Sequence, residues 1–194
     1  LSVKKRIAIT GHTKGIGQAL KKIYEARGHE IVGLSRSNNF NISSPNALSM
    51  IEDCDILINN AHCGFEQTVL LYKVYKMWKN NNTKQIINIS SILPSYLLNM
   101  KMLGRIPLND DIDEYLYTTE KLALEEAFKQ LRMIDTGPRL VLVRPGTLAT
   151  DDNEINLYAN VNEWAQSLVD CLSVVHENLE ISEITISAIK PKKC

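Results

Sequence analysis

The run Arg6-Ile-Ala-Ile-Thr-Gly-His-Thr-Lys-Gly-Ile-Gly17 constrains this chain more than any other stretch. A short apolar segment, Ile7–Ile9, meets Thr10-Gly11, and Gly15-Ile16-Gly17 opens a helical pattern over Gln18 to Arg27. Strand, glycine turn and helix in that order let the backbone pass close to a pyrophosphate and aim a helix N-terminus at its charge. Gly11 permits the tight turn. Gly15 removes a side chain where a phosphate would sit, and Gly17 lets helix and strand pack closely.

The remaining apolar β-rich runs are Ile31–Leu34, Ile56–Ile58, Ile86–Ile89, Leu140–Val143 and Ile184–Ile189, with helical patterns between most of them. Such alternation implies a parallel sheet with helices on both faces, and right-handed crossovers make it doubly wound. The expected architecture is a Rossmann-type α/β fold. At 194 residues the chain is expected to form one domain. Lys plus Arg and Asp plus Glu are both 22, so the net charge is zero and offers no electrostatic case for nucleic acid or an anionic membrane. No apolar run approaches the ~20 residues of a membrane span. Leu1–Arg6 is too short and too basic for a complete signal peptide, so a cytoplasmic location is expected. Cys54, Cys63, Cys171 and Cys194 form no C-x-x-C pair, so no metal site is expected.

The pattern Thr10-Gly-x-x-x-Gly-x-Gly17 resembles the classical short-chain dehydrogenase/reductase family. Further motifs extend the resemblance in order along essentially the whole chain. They are Asn59-Asn60-Ala61, Ile89-Ser90-Ser91, Tyr117 four before Lys121, and Pro145-Gly146 with Thr150 four after the glycine. The resemblance implies seven strands in the order 3-2-1-4-5-6-7, with Phe40-Asn41-Ile42 as a very short third strand. It also implies a cofactor site of Gly11, Thr13, Lys14, Gly15, Ile16, Gly17, Ser35, Arg36, Asn41, Ile42, Asn60, Ala61, Tyr117, Lys121, Pro145, Gly146, Leu148 and Thr150. Asn41-Ile42 stands where the family holds adenine with Asp-Val. His62 stands where it has glycine.

The second strand ends Gly33-Leu34-Ser35-Arg36, with Ser35 24 residues beyond Gly11. An acidic residue there would grip the ribose 2′-hydroxyl of NAD. None is present. Arg36 follows instead, and Lys14 sits inside the glycine turn. Either cation alone reads as a solvated surface charge. Together they suit a 2′-phosphate, and in the family they accompany NADP(H); NAD(H) is the less favoured cofactor.

Tyr117 and Lys121 lie one turn apart on one helix face. The resemblance makes Tyr117 the acid/base, Lys121 the residue that lowers its pKa and holds ribose, and Ser91 the hydroxyl that orients a substrate carbonyl. It implies a small-molecule carbonyl or alcohol substrate and a homodimer or homotetramer. Tyr115 competes with Tyr117, but only Tyr117 stands four before a lysine. The helix expected over residues 66 to 79, with Leu70, Tyr72, Val74 and Trp78 among its apolar members, supplies no Asn for the family's water-mediated proton relay. Ser44-Pro45 opens a helix through Ile51 by a hydroxyl cap and a first-turn proline. A helix from about Asp113 to Ile134 is expected to bury Leu122, Ala123, Ala127 and Leu131.

Ser91 and Tyr117 are 26 residues apart, more than in the family, and the stretch Ile92 to Asp113 reads as an apolar flap insertion. Only 44 residues follow Thr150: a helix from Val161 to about His176, a strand over Glu183 to Ile189 and a basic tail. A reduced, open substrate pocket follows. The resemblance thus implies a compact NADP(H)-dependent oxidoreductase. The alternative is a non-catalytic domain that binds NADP(H) and senses its redox state.

Overall fold

A computed structural model describes residues 3–38, 40, 42–97, 113–149, 159–174 and 179–187. The element β1 is Arg6–Thr10, followed by α1 (Gly15–Ala26), β2 (Glu30–Leu34), a 3-10 turn (Arg36–Asn38), α2 (Pro45–Ile51), β3 (Ile56–Asn59) and α3 (Glu66–Met77). Then come β4 (Gln85–Ile89), α4 (Leu93–Leu97), α5 (Glu114–Arg132), β5 (Arg139–Pro145), β6 (Leu148–Ala149), β7 (Ala159–Asn160), α6 (Val161–Ser173) and β8 (Glu183–Ile186).

Six strands form one parallel sheet in the order β2-β1-β3-β4-β5-β8. The order reverses beside β1, between β1 and β3, which places a crevice at the carboxyl ends of those strands. This is the doubly wound fold anticipated from the alternation of runs. The expected third strand, Phe40-Asn41-Ile42, is absent among the described residues. Phe40 and Ile42 are not in strand conformation, Asn41 between them lies outside the described residues, and β2 is the edge. Five residues between Arg36 and Ile42 leave room for one 3-10 turn but not for a crossover, which needs about a dozen residues. The pair β6–β7, parallel to each other and apart from the main sheet, was not anticipated.

Two apolar layers cover the sheet. On one face Leu70, Leu71, Val74, Leu124, Phe128 and Leu131 of α3 and α5 pack with Ala47 and Ile51 of α2. On the other, Ala19, Leu20 and Tyr24 of α1 meet Trp164, Ala165, Leu168 and Val169 of α6. The helix phases correct two expectations. Tyr72 is 42% exposed and Leu122 is 44% exposed. Each stands two residues from a buried position of an i, i+4 row that the sheet covers (Leu70–Val74, Leu124–Phe128), and two residues are about 200° around the helix, which puts the side chain on the opposite face.

Helix limits follow their caps. Ser44 accepts from Asn46 N ahead of Pro45, and Asp113 accepts from Tyr115 N and Leu116 N and so starts α5. Trp78 ends α3 and Val174 ends α6. The last strand closes at Ile186. Of the expected flap, Leu93–Leu97 forms α4, and residues 98–112 lie outside the described residues. So do 175–178 and the basic tail. No described helix is long and apolar enough to cross a membrane.

Candidate functional site

The glycine turn is built by steric exclusion. Gly11 has φ +69° and donates from its amide to Leu34 O at 2.7 Å. A Cβ on Gly17 would lie 2.2 Å from Gly11 O, which no side chain tolerates. The Asn60 side chain backs the turn, donating to Thr10 O at 3.0 Å. Thr10 Oγ1 in turn accepts from Asn60 N at 2.8 Å and Ala61 N at 2.9 Å, clamping β1 to the segment after β3. Lys14 precedes α1 in extended conformation, and no side chain caps the first turn of the helix. A helix N-terminus without a capping side chain keeps its first N–H groups available to an anion.

A cleft of about 800 Å³ opens over this turn. Gly11, Thr13, Lys14 and Gly15 line one side, Ser35, Arg36, Phe40 and Ile42 another, and Asn60 to Gly64 the far end. Among the described residues no Asp or Glu lines it. Lys14 and Arg36 are exposed and take part in none of the ion pairs among the described residues. Ser35 is buried, with its hydroxyl 2.7 Å from that of Ser37. His12, not singled out from the sequence, lies over Gly33: a Cβ there would meet the imidazole at 2.5 Å. Burial lowers the His12 pKa.

Ser91, Tyr117 and Lys121 come together at the carboxyl end of β4. The Ser91 hydroxyl accepts from Leu93 N at 3.2 Å and shares a hydrogen bond with the Tyr117 phenol. The Lys121 Nζ lies 5.5 Å from the Tyr117 ring centroid. It donates to Gln67 Oε1 at 2.8 Å and to Ile89 O at 3.1 Å. Gln67 Nε2 donates to Asn59 O and Ile89 O, and Asn59 Nδ2 donates to Asn88 Oδ1 and Gln67 O. Asn59 and Asn88 are fully buried. A second tether fixes the strand end: Ser90 donates to Glu125 Oε1 at 2.8 Å, and Arg144 grips Glu125 with two nitrogens.

Burial governs the titration here. Desolvation brings the Lys121 ammonium down to about 8, against the opposing pull of Glu120 and Glu125. Burial holds the Tyr117 phenol above its ordinary value, opposed by the Ser91 hydrogen bond and reinforced by the Glu120 charge. Desolvation of the phenol thus outweighs the lowering expected from Lys121.

The other expected site residues divide. Gly11, Thr13, Lys14, Gly15, Ser35, Arg36, Ile42, Asn60 and Ala61 gather at the cleft. Ile16 and Gly17 sit behind the turn, Ile16 against the α1–α6 layer. Pro145 and Gly146 pair with Ile186 at the end of β5, and Leu148 packs on the α1–α6 layer; none lines the cleft. Asn41 and Thr150 lie outside the described residues. Tyr115 is 69% exposed.

Sequence reasoning missed Gln67 and Glu120 and set His62 aside. Gln67 is buried in the first turn of α3 and reaches Lys121 directly. Its signal was a glutamine at the start of an otherwise apolar helix face. Glu120, three after Tyr117 and buried, meets His62 Nε2 at 2.5 Å. The His62 ring stands edge-on to Tyr117 with centroids 4.8 Å apart and also lines the cleft, so it joins the two halves of the site.

No family model matches the sequence, and no curated protein matches it. Solved structures match over nearly the whole chain. A short-chain dehydrogenase/reductase from Vibrio parahaemolyticus superposes with a TM-score of 0.68 at 15% identity, over 93% of this chain and 98% of that one. A short-chain dehydrogenase from Burkholderia cenocepacia in complex with NADP gives 0.64 at 19% identity, over 95% and 89%. A 3-alpha-hydroxysteroid dehydrogenase from a Pseudomonas species, complexed with NADH, gives 0.60 at 17% identity, over 93% and 95%. The architecture is thus a doubly wound α/β fold, and these solved short-chain dehydrogenase structures share it.

Proposed function

We propose that the protein is an NADP(H)-dependent oxidoreductase acting on a small carbonyl or alcohol compound. The observation that carries this reading is the convergence of Ser91, Tyr117 and Lys121 beside a glycine-turn cleft, joined to it through His62. The residues present fit a dinucleotide. Gly17 leaves a cradle that a Cβ would fill, and the first turn of α1 has no side-chain cap. Lys14 and Arg36 supply charge for a 2′-phosphate where no carboxylate opposes it. When bound, the nicotinamide supplies the hydride chemistry. Ser91 orients a carbonyl oxygen, and Tyr117 gives that oxygen a proton or takes one from it. Lys121, held by Gln67 and Ile89, lies beside the phenol where a nicotinamide ribose hydroxyl would be held.

Calorimetric titration with NADPH and NADH, followed by a broad carbonyl panel, tests the reading. We expect NADPH to bind at least about tenfold more tightly, ~1.4 kcal/mol, and a carbonyl to be reduced. Binding of NADPH without turnover on any carbonyl would favour a redox-sensing domain. Binding of neither cofactor would end the enzymatic reading.

A further inference from the structure

Among the described residues the half-buried Tyr117 has Lys121 on one side and His62 on another, and of these two His62 is the exposed one. On the Lys121 side the ammonium is committed to Gln67 Oε1 and Ile89 O. Beyond Gln67 the hydrogen bonds continue to Asn59 and Asn88, both fully buried. That chain ends inside the sheet. On the other side stands His62, its side chain 36% exposed and its ring edge-on to the phenol. Glu120 holds its Nε2 from a carboxylate only 8% exposed. The turn after His62 wraps that carboxylate: a Cβ on Gly64, at φ +55°, would lie 3.4 Å from Glu120 Oε1.

We propose that His62, held by Glu120, is the proton-supplying partner of Tyr117 and links the phenol to bulk solvent. The inference rests on the oxidoreductase reading above. In carbonyl reduction the hydride comes from the reduced nicotinamide, and the substrate oxygen takes the phenol proton. The Tyr117 O–H bond breaks as the product O–H bond forms. The phenolate then takes a proton from the His62 imidazolium, directly or through one water, and the imidazole takes one back from solvent. Oxidation of an alcohol runs the same transfers in reverse. Glu120 fixes the ring and compensates the imidazolium charge, so it is a positioning residue. Among the described residues the groups facing the phenol are His62 from the turn before α3, Glu120 and Lys121 from α5, and Ser91 from the end of β4. Of these, His62 is the exposed group, and its imidazole has both a donor and an acceptor nitrogen with which to pass a proton.

The test compares wild type, H62A, H62Q and E120Q in NADPH oxidation with a carbonyl that wild type reduces. We expect kcat to fall about tenfold or more in both His62 variants while NADPH affinity stays within about twofold. Added imidazole restores turnover to H62A but not to Y117F, an effect that a merely structural residue would not show. A cofactor-free readout runs beside it: with 13C-labelled tyrosine, and Y117F to identify the signal, Tyr117 titrates at lower pH in E120Q because the carboxylate opposing the phenolate is gone. Turnover in H62A within about twofold of wild type, or a loss that imidazole does not restore, overturns the proposal. A Tyr117 titration unmoved in E120Q overturns the role of Glu120. A wild type that binds NADPH but reduces no carbonyl overturns the oxidoreductase reading instead, so the two failures are told apart.

Discussion

At the β1–β2 end the site consists of bare backbone, uncapped amides and two exposed cations, Lys14 and Arg36. At the β4–α5 end it consists of side chains locked to one another and mostly withdrawn from water, with Lys121 only 3% exposed and His62 at the open margin. The first end is suited to a ligand that brings its own charge, since the cations remain solvated until it arrives. The second end stores charge in a low dielectric, where each group's proton affinity depends on its neighbours. In the proposed reading recognition and chemistry make opposite demands on burial, and one sheet edge can meet both because its strands end in different surroundings.

The contrast can be broken most severely at the buried end. Tyr117→Phe keeps the ring and removes the proton; turnover falls ~1000-fold while NADPH affinity is retained. Steady-state kinetics and calorimetry on the same preparation check it, and near-normal turnover would remove Tyr117 from the chemistry.

Stability against pH probes the stored charge. The Lys121 pKa is about 8 in the folded chain against 10.5 unfolded, so the unfolded chain binds more protons between those values. Stability therefore rises with pH from about 8 to 10.5, by ~3 kcal/mol from this group alone. Urea melts of wild type and Lys121→Met across that window should diverge by this amount, with the variant lacking the rise. Parallel curves would mean that Lys121 is less desolvated than its contacts imply.

At the open end the effects are smaller. Gly17→Val drives a side chain into Gly11 O and costs about 2 kcal/mol, read from the urea midpoint, together with loss of cofactor binding. Arg36→Ala weakens NADPH binding by ~1 kcal/mol, more at low salt, and leaves NADH binding unchanged. An equal loss for both cofactors would detach Arg36 from the 2′-phosphate.

Legibility in the sequence followed the same division. The glycine turn is local: Gly11, Gly15 and Gly17 are demanded by backbone geometry within a dozen residues, and the sequence carries that geometry directly. Tyr117 and Lys121 are also local, one helical turn apart. The missing edge strand is legible only in part. Five residues between Arg36 and Ile42 exclude a crossover helix, yet Phe40 and Ile42 have a strand-like composition; burial of Ile42 without strand pairing is a tertiary outcome.

The sequence by itself determined the alternation of strand and helix, the glycine turn, the two cations around it and the order of the hydroxyl, phenol and ammonium groups. These depend on periodicity, chirality and spacing along the chain. Only the tertiary structure decided that Gln67 would hold Lys121, that Glu120 would hold His62, and that burial would raise the phenol's pKa and lower the ammonium's. Those partners are 54 and 58 residues apart in the chain. Desolvation is a property of what surrounds a group in space, and no local pattern encodes it.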